Sequence, residues 1–195
     1  MLIEGVFAAV TTPFYPDEQV YFRKLEANIA RYSRSLLAGM VVLGSTGEAP
    51  AEAATFVAAS NLADGTAIAV APPKAPVKTR TKEVGFQVLT GSASIILPSL
   101  VAGATGAILG FAACAPQACQ EVYFAWKDHD LKLAAEKQER IAKPNQRITA
   151  ELGISGVKYA CDFNGYYGGY ARRPLLPIDA KTKAEIEGLL AGIRS

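Results

Sequence analysis

The residues best placed for chemistry in this chain are the glycine-flanked hydroxyl pair Gly44-Ser45-Thr46-Gly47, followed at once by Glu48. The apolar run Met40-Val41-Val42-Leu43 leads into it and reads as a strand. A strand ending in such a turn sets backbone N–H groups and two side-chain hydroxyls at its C-terminal edge. In α/β proteins that edge is where ligands bind. Successive amides form an anion-binding nest and the hydroxyls add donors, so the arrangement suits a small carboxylate. Metal chemistry finds no comparable support. The single histidine, His129, excludes a histidine-based triad, and Cys114, Cys119 and Cys161 form no CxxC pair. With apolar flanks, these cysteines read as reduced, inert core thiols of an intracellular protein.

The elements that must position the hydroxyl pair follow from the periodicity. Residues 5–10 are strand-like and stop at Thr11-Thr12-Pro13, and residues 22–37 place Leu25, Ile29, Tyr32 and Leu36 at helical spacing. With the strand at 40–43 this is a strand–helix–strand unit, the building block of a parallel sheet. Residues 49–59 are alanine-rich and predict a helix. In 61–80, Gly65, Pro72, Pro73 and Pro76 surround the short apolar run 67–71, which reads as an irregular junction. Order returns with a strand at 86–91, a short helix at 95–102 and a strand at 106–111. Helices are predicted at 116–128, at 131–142 with continuation to 151, at 157–163 and at 181–192.

Composition narrows the function classes. The 195 residues are half apolar and 19% charged, which is a globular composition. Twenty basic residues against 18 acidic ones give a net charge of +2, with no footprint for nucleic acid. The one basic cluster, Lys74, Lys78, Arg80 and Lys82, reads as a solvated linker. Residues 84–120 carry no charge at all, but Pro98, Gly103 and Gly106 divide the stretch into pieces too short to span a bilayer. Buried strands joined by a short helix account for it, since strands covered on both faces read as continuous apolar runs. Glu4 stands where a secretory signal would carry a basic residue, so the N-terminus reads as a first strand.

Four stretches together resemble the dihydrodipicolinate synthase / N-acetylneuraminate lyase superfamily: GVFAAVTTPF at 5–14, GMVVLGSTGEA at 39–49, FQVLTGSASIILPSLVAGATGAILGFAACAP at 86–116 and GVKYACDFNGYYGGYARRPLLPI at 156–178. Within it they are most similar to the 4-hydroxy-2-oxoglutarate aldolase-type members of fungi and animals. The resemblance implies an α/β fold, part of a (β/α)8 TIM barrel with C-terminal helices, in which 5–10, 39–43, 86–90 and 106–111 stand for strands one, two, seven and eight. These are neighbours around a closed barrel. It further implies class I aldolase or lyase chemistry on pyruvate or a related 2-oxo acid. Ser45 and Thr46 match the hydroxyl pair that holds the acid's carboxylate, and Gly91 and Ile108 match positions lining the same pocket. No metal and no cofactor is implied. As a single domain, the chain divides into a barrel start (1–60), the junction (61–80), the last barrel strands (81–125) and a C-terminal helical part (126–195).

A full barrel needs ~250 residues, and strands three to six, which carry the family's Schiff-base lysine and relay tyrosine, have no counterpart here beyond the junction. Class I chemistry needs a partly neutral amine to form an iminium with the substrate ketone. Lys74, after the run 67–71, is the candidate nucleophile. Lys158, in Gly156-Val157-Lys158, matches a lysine that the family carries outside the barrel and is expected to be structural or solvent-facing. Tyr166 and Tyr167 are expected to pack in the glycine-rich segment before the last helices, and Arg172 and Arg173 to be structural. Ala113 stands where the family usually has asparagine. The expected function is therefore a Schiff-base aldolase or lyase on pyruvate-type acids, truncated. The alternative is an inactive remnant that binds a 2-oxo acid or a full-length paralogue. Expected partners are a small 2-oxo acid and a second copy or that paralogue, without nucleic acid or membrane, in the cytoplasm or mitochondrion.

Overall fold

The computed structural model describes residues 3–42, 44–48, 67–69 and 87–193. Its centre is a parallel sheet in the order β3-β2-β1-β5-β4, with β1 at Gly5–Ala9, β2 at Gly39–Val42, β3 at Ala67–Ala69, β4 at Leu89–Thr90 and β5 at Gly106–Leu109. The register sets Phe7 opposite Gly39 and Ile108, so the first strand is flanked by one near in sequence and one far from it. The order of β2, β1, β5 and β4 is the contiguous arc expected for strands two, one, eight and seven. Both β1 and β2 are almost wholly buried, the consequence of helices and side chains covering both faces.

Close approach is built into the β1–β5 pair. A Cβ on Gly106 would fall on the backbone of Gly5, so only glycine lets the strands meet at that point. Helix α1 (Phe22–Tyr32) buries Leu25, Asn28, Ile29 and Tyr32, a single stripe at helical spacing. The polar member is satisfied: Asn28 donates to the Tyr167 carbonyl at 2.7 Å and accepts from the Tyr167 amide at 2.9 Å. Tyr166 stacks on Tyr32 at 4.5 Å between centroids. The tyrosine pair therefore packs against the early helix α1, a long-range contact that the local glycine-rich pattern did not indicate.

After β4 come α2 (Ile96–Val101), α3 (Pro116–Lys127), α4 (Leu131–Asn145), α5 (Gly153–Phe163) and α6 (Ala180–Ala191). Asp130 caps α4 by accepting from the Leu133 amide, and Asp179 caps α6 by accepting from the Thr182 amide. The predicted continuation of the helix beyond 142 takes a different form. Pro144 sits inside α4, the six residues Gln146–Glu151 wind as a π-helix, and Gly153 turns into α5 with φ +61°.

Other departures are local. The strand expected at 106–111 ends at Leu109, and Phe111–Ala113 form a tight 3-10 turn. Of the expected strand at 86–91, Leu89 and Thr90 are paired, and Phe86 lies outside the described residues. Within the 61–80 junction the described residues are Ala67–Ala69, and they pair with β2. The expected helix at 49–59 and the candidate Lys74 both lie outside the described residues. Cys114, Cys119 and Cys161 are free and buried, and burial pushes the Cys161 thiol up to about 12. Among the described residues no helix is long and apolar enough to cross a membrane, and no cluster of three metal-binding side chains occurs.

Candidate functional site

The turn after β2 is formed by backbone bonds. Gly44 is extended, Ser45–Gly47 make one 3-10 turn, and the Gly47 and Glu48 amides close it on the Gly44 and Ser45 carbonyls at 3.0 and 3.2 Å. Among the described residues the amides of Ser45 and Thr46 have no carbonyl partner. They lie beside their own hydroxyls, the arrangement of an anion nest. Glu48 ends the turn in the left-handed region at φ 57°, which swings its side chain away from the strand end.

Above the C-terminal ends of the strands lies a cavity of about 470 Å³. Ala9, Val41 and Ile108 of β1, β2 and β5 form its floor. Ser45, Thr46, Gly91 and Gly110 form its rim, and Thr149, Gly153, Ile154 and Val157 enclose it from the helical layer. The structure thus brings all four of the binding residues expected from sequence, Ser45, Thr46, Gly91 and Ile108, into one cavity. Gly110 leaves room beside the Thr46 hydroxyl, because a Cβ there would lie 3.3 Å from Thr46 Oγ1 and 3.2 Å from Thr149 Cγ2. No lysine is among the described residues that line it.

The expected solvent-facing alternative for Lys158 is corrected by the structure. Its side chain is 2% exposed, and its Nζ lies 2.6 Å from Glu48 Oε1. The ammonium also donates to the carbonyls of Thr12 at 2.8 Å and Tyr170 at 2.5 Å, and sits 4.4 Å over the Phe14 ring. An ammonium is buried here because a carboxylate and two carbonyls receive it. Burial still dominates and lowers its pKa, with Glu48 opposing that shift. Arg172 joins from the far end of the chain. Its amide donates to Glu48 Oε2 at 2.8 Å and its guanidinium donates to the Glu48 carbonyl. Arg173 holds Glu18 through its amide at 3.1 Å. Both arginines thus tie the C-terminal segment to acidic residues near the start of the chain.

Sequence reasoning therefore missed three contributors. Glu48 was visible only as an acidic residue after the turn, since its partners are far along the chain. The Lys158–Glu48 pair has no local signature. Thr149 lies in a stretch whose periodicity reads as helix, and nothing in composition distinguishes a π-helical turn from an α-helical one.

A family model described as the dihydrodipicolinate synthetase family matches residues 74–192 of this chain. A 4-hydroxy-tetrahydrodipicolinate synthase of Acidiphilium cryptum is 33% identical over 108 residues, which are 55% of this chain and 37% of that protein. One of Jannaschia sp. is 37% identical over 95 residues, 48% of this chain and 33% of that protein. The match thus spans little more than a third of the length of these curated relatives. Among solved structures, an N-acetylneuraminate lyase of Mycoplasma synoviae aligns with a TM-score of 0.82 at 14% identity, over 98% of each chain. A variant of the 2-keto-3-deoxygluconate aldolase of Sulfolobus solfataricus aligns with 0.81 at 14% identity, over 97% of this chain and 96% of that one. At that identity the two structures share the fold, which is consistent with a partial TIM barrel.

Proposed function

Because this chain belongs to the dihydrodipicolinate synthetase family, we propose that its cavity binds a small 2-oxo acid of the pyruvate type. The carboxylate lies on Ser45 and Thr46, and the short carbon chain lies toward Gly91 and Ile108. The observation that carries this reading is the convergence of those four residues on one cavity of about 470 Å³ at the C-terminal strand ends. Two hydroxyls and the amides of the same turn recognise a carboxylate, and the apolar floor accepts a methyl or methylene group. The 2-oxo acid is of the kind handled by 4-hydroxy-2-oxoglutarate aldolase-type members, a reading that rests on the motifs at 39–49 and 156–178.

Schiff-base lyase chemistry on such an acid requires a desolvated amine in the cavity. The described lining holds none, and Lys158 is committed to Glu48. The nucleophile of a family-type reaction therefore comes from outside the described residues, with Lys74 as the candidate. The second reading is a truncated, binding-only member that pairs with a second copy or a full-length paralogue. It is favoured by the sheet, which is open among the described residues with β3 and β4 at its edges.

The test is intact mass after incubation with pyruvate and borohydride, beside a calorimetric titration with pyruvate. A pyruvyl adduct mapped to one lysine supports lyase chemistry. Saturable binding without an adduct supports the binding-only member. Absence of binding by a folded sample overturns the carboxylate site.

A further inference from the structure

The turn that carries Ser45 and Thr46 is gripped from elsewhere in the molecule at its last residue. Glu48 stands at φ 57°, in the left-handed region that a residue with a side chain keeps only when its surroundings determine it. Such residues gather at active sites and ligand clamps. Three contacts hold this one. Lys158 Nζ lies 2.6 Å from Glu48 Oε1, the Arg172 amide donates to Oε2 at 2.8 Å, and the Arg172 guanidinium donates to the Glu48 carbonyl. The Glu48 amide in turn closes the hydroxyl turn on the Ser45 carbonyl at 3.2 Å. What fixes Glu48 therefore acts on Ser45 through one hydrogen bond.

Lys158 reaches Glu48 from another wall of the cavity. It follows Val157, which lines the cavity with Gly153 and Ile154 of α5, whereas Ser45 and Thr46 form the rim after β2. The same ammonium takes the Thr12 carbonyl, past the end of β1, and the Tyr170 carbonyl of the C-terminal segment. One buried cation thus joins the segments after β1 and β2 to α5. A pair whose members are 2% and 5% exposed gains little net stability after desolvation, and its better-attested use is to select one arrangement of the chain. We propose that Lys158 is a positioning residue for the cavity: through Glu48 it holds the Ser45–Thr46 turn in place against α5, so that both hydroxyls meet the same bound carboxylate. The inference rests on the reading of the cavity as a 2-oxo acid site. Lys158 itself touches no ligand. Without it the turn samples arrangements in which the hydroxyls do not converge, and apparent affinity falls with the fraction of molecules in the competent one.

The test compares pyruvate dissociation constants and urea midpoints for the unaltered chain, Glu48→Gln/Lys158→Met, Arg172→Met and Ile186→Val. The double variant removes both charges, so none is stranded, but the bond from the turn to α5 is gone. It is expected to bind pyruvate about tenfold more weakly, as a turn that keeps the competent arrangement roughly a tenth of the time would. Arg172→Met takes a half-buried guanidinium from the Glu48 carbonyl and is expected to fall between these limits; it decides the question where the double variant does not fold. Ile186→Val trims the core at α6, outside the cavity lining, and lowers stability while pyruvate affinity stays at that of the unaltered chain. A merely structural ion pair would instead make affinity follow the urea midpoint in every variant. Unaltered affinity in the folded double variant, or in Arg172→Met where the double does not fold, overturns the proposal and leaves the site reading standing. Affinity that falls with stability in Ile186→Val also overturns it. No pyruvate binding by the unaltered chain overturns the site reading and this inference together.

Discussion

Replacing Gly110 by alanine separates the space above the hydroxyl pair from the stability of the fold. Gly110 has φ −62° and ψ −37°, helical values that alanine adopts without strain. At such a position Gly→Ala stabilises a protein by about 0.4–1 kcal/mol, by restricting the unfolded chain. The new methyl would meet Thr149 Cγ2 at 3.2 Å and Thr46 Oγ1 at 3.3 Å, contacts that require each side chain to give by a few tenths of an ångström. Both atoms are ends of small side chains at a cavity wall, so the cost sits at the low end of overpacking, about 1 kcal/mol. The two effects offset, and the expected change in stability is within about 1 kcal/mol. Binding is another matter, because the atom displaced is the Thr46 hydroxyl that we propose meets the carboxylate. A hydrogen bond to a charged group contributes about 1.5–3 kcal/mol, and a shift that spoils it costs at least roughly tenfold in affinity. Urea denaturation and calorimetric titration with pyruvate, run on the same preparations, read both quantities. Unchanged pyruvate affinity in Gly110→Ala would refute the placement of the carboxylate. A loss of more than about 3 kcal/mol in stability would refute the assumption that the neighbours yield.

Other consequences are open to measurement. Lys158→Met leaves the buried Glu48 carboxylate with the Arg172 guanidinium, 4.0 Å away, as its remaining cation, and is expected to cost about 3 kcal/mol, the low end for breaking a buried pair. The double variant Glu48→Gln/Lys158→Met is expected to recover much of that in a denaturant titration. The groups facing Lys158 are Glu48 and Arg172 from either end of the chain and Cys161 on its own helix. Because its folded-state pKa is lowered, the folded chain binds fewer protons than the unfolded one between that value and about 10.4. Stability should therefore rise with pH across that window, and this contribution should vanish in the double variant. Gly168→Ala would drive a methyl into the Lys158 carbonyl and should destabilise the chain by about 3 kcal/mol or leave it unfolded, seen by circular dichroism. The three cysteine thiols, raised by burial, should react with an alkylating reagent only after denaturation, as followed by intact mass.

The fold was legible where burial writes directly into the sequence. Strands β1, β2 and β5 are covered on both faces, so they read as continuous apolar runs, and the α1 stripe reads as a helix for the complementary reason. Ala67–Ala69 lay among prolines that argue against a strand, and its pairing with β2 comes from the sheet edge it meets rather than from its own propensity. In the site, Ser45 and Thr46 announce themselves because a glycine-bounded turn after a strand is a local pattern. Gly91 and Ile108 needed the family's motifs, since a glycine and an isoleucine carry no chemistry of their own. Glu48, Lys158 and Arg172 were individually visible, yet their contact depends on how α5 and the C-terminal segment dock. Thr149 stayed hidden because the hydrophobic period is too coarse to register one widened turn.

The ion pair between Glu48 and Lys158 also governs when the site can come into being. Glu48 is held by the Arg172 amide, 124 positions later, and Lys158 holds the Thr12 carbonyl from 146 positions away. The parallel pairing of β1 with β5 is non-local as well, joining Gly5 to Gly106. Contacts of such long sequence separation form late, after the entropy of closing large loops has been met. During synthesis the hydroxyl turn emerges early but has nothing to lock against until the segment around residue 170 has left the ribosome. The turn proposed to hold the acid is thus among the last parts of the molecule to set, and a nascent chain stopped short of Arg172 carries Ser45 and Thr46 without the contact that fixes Glu48 beside them.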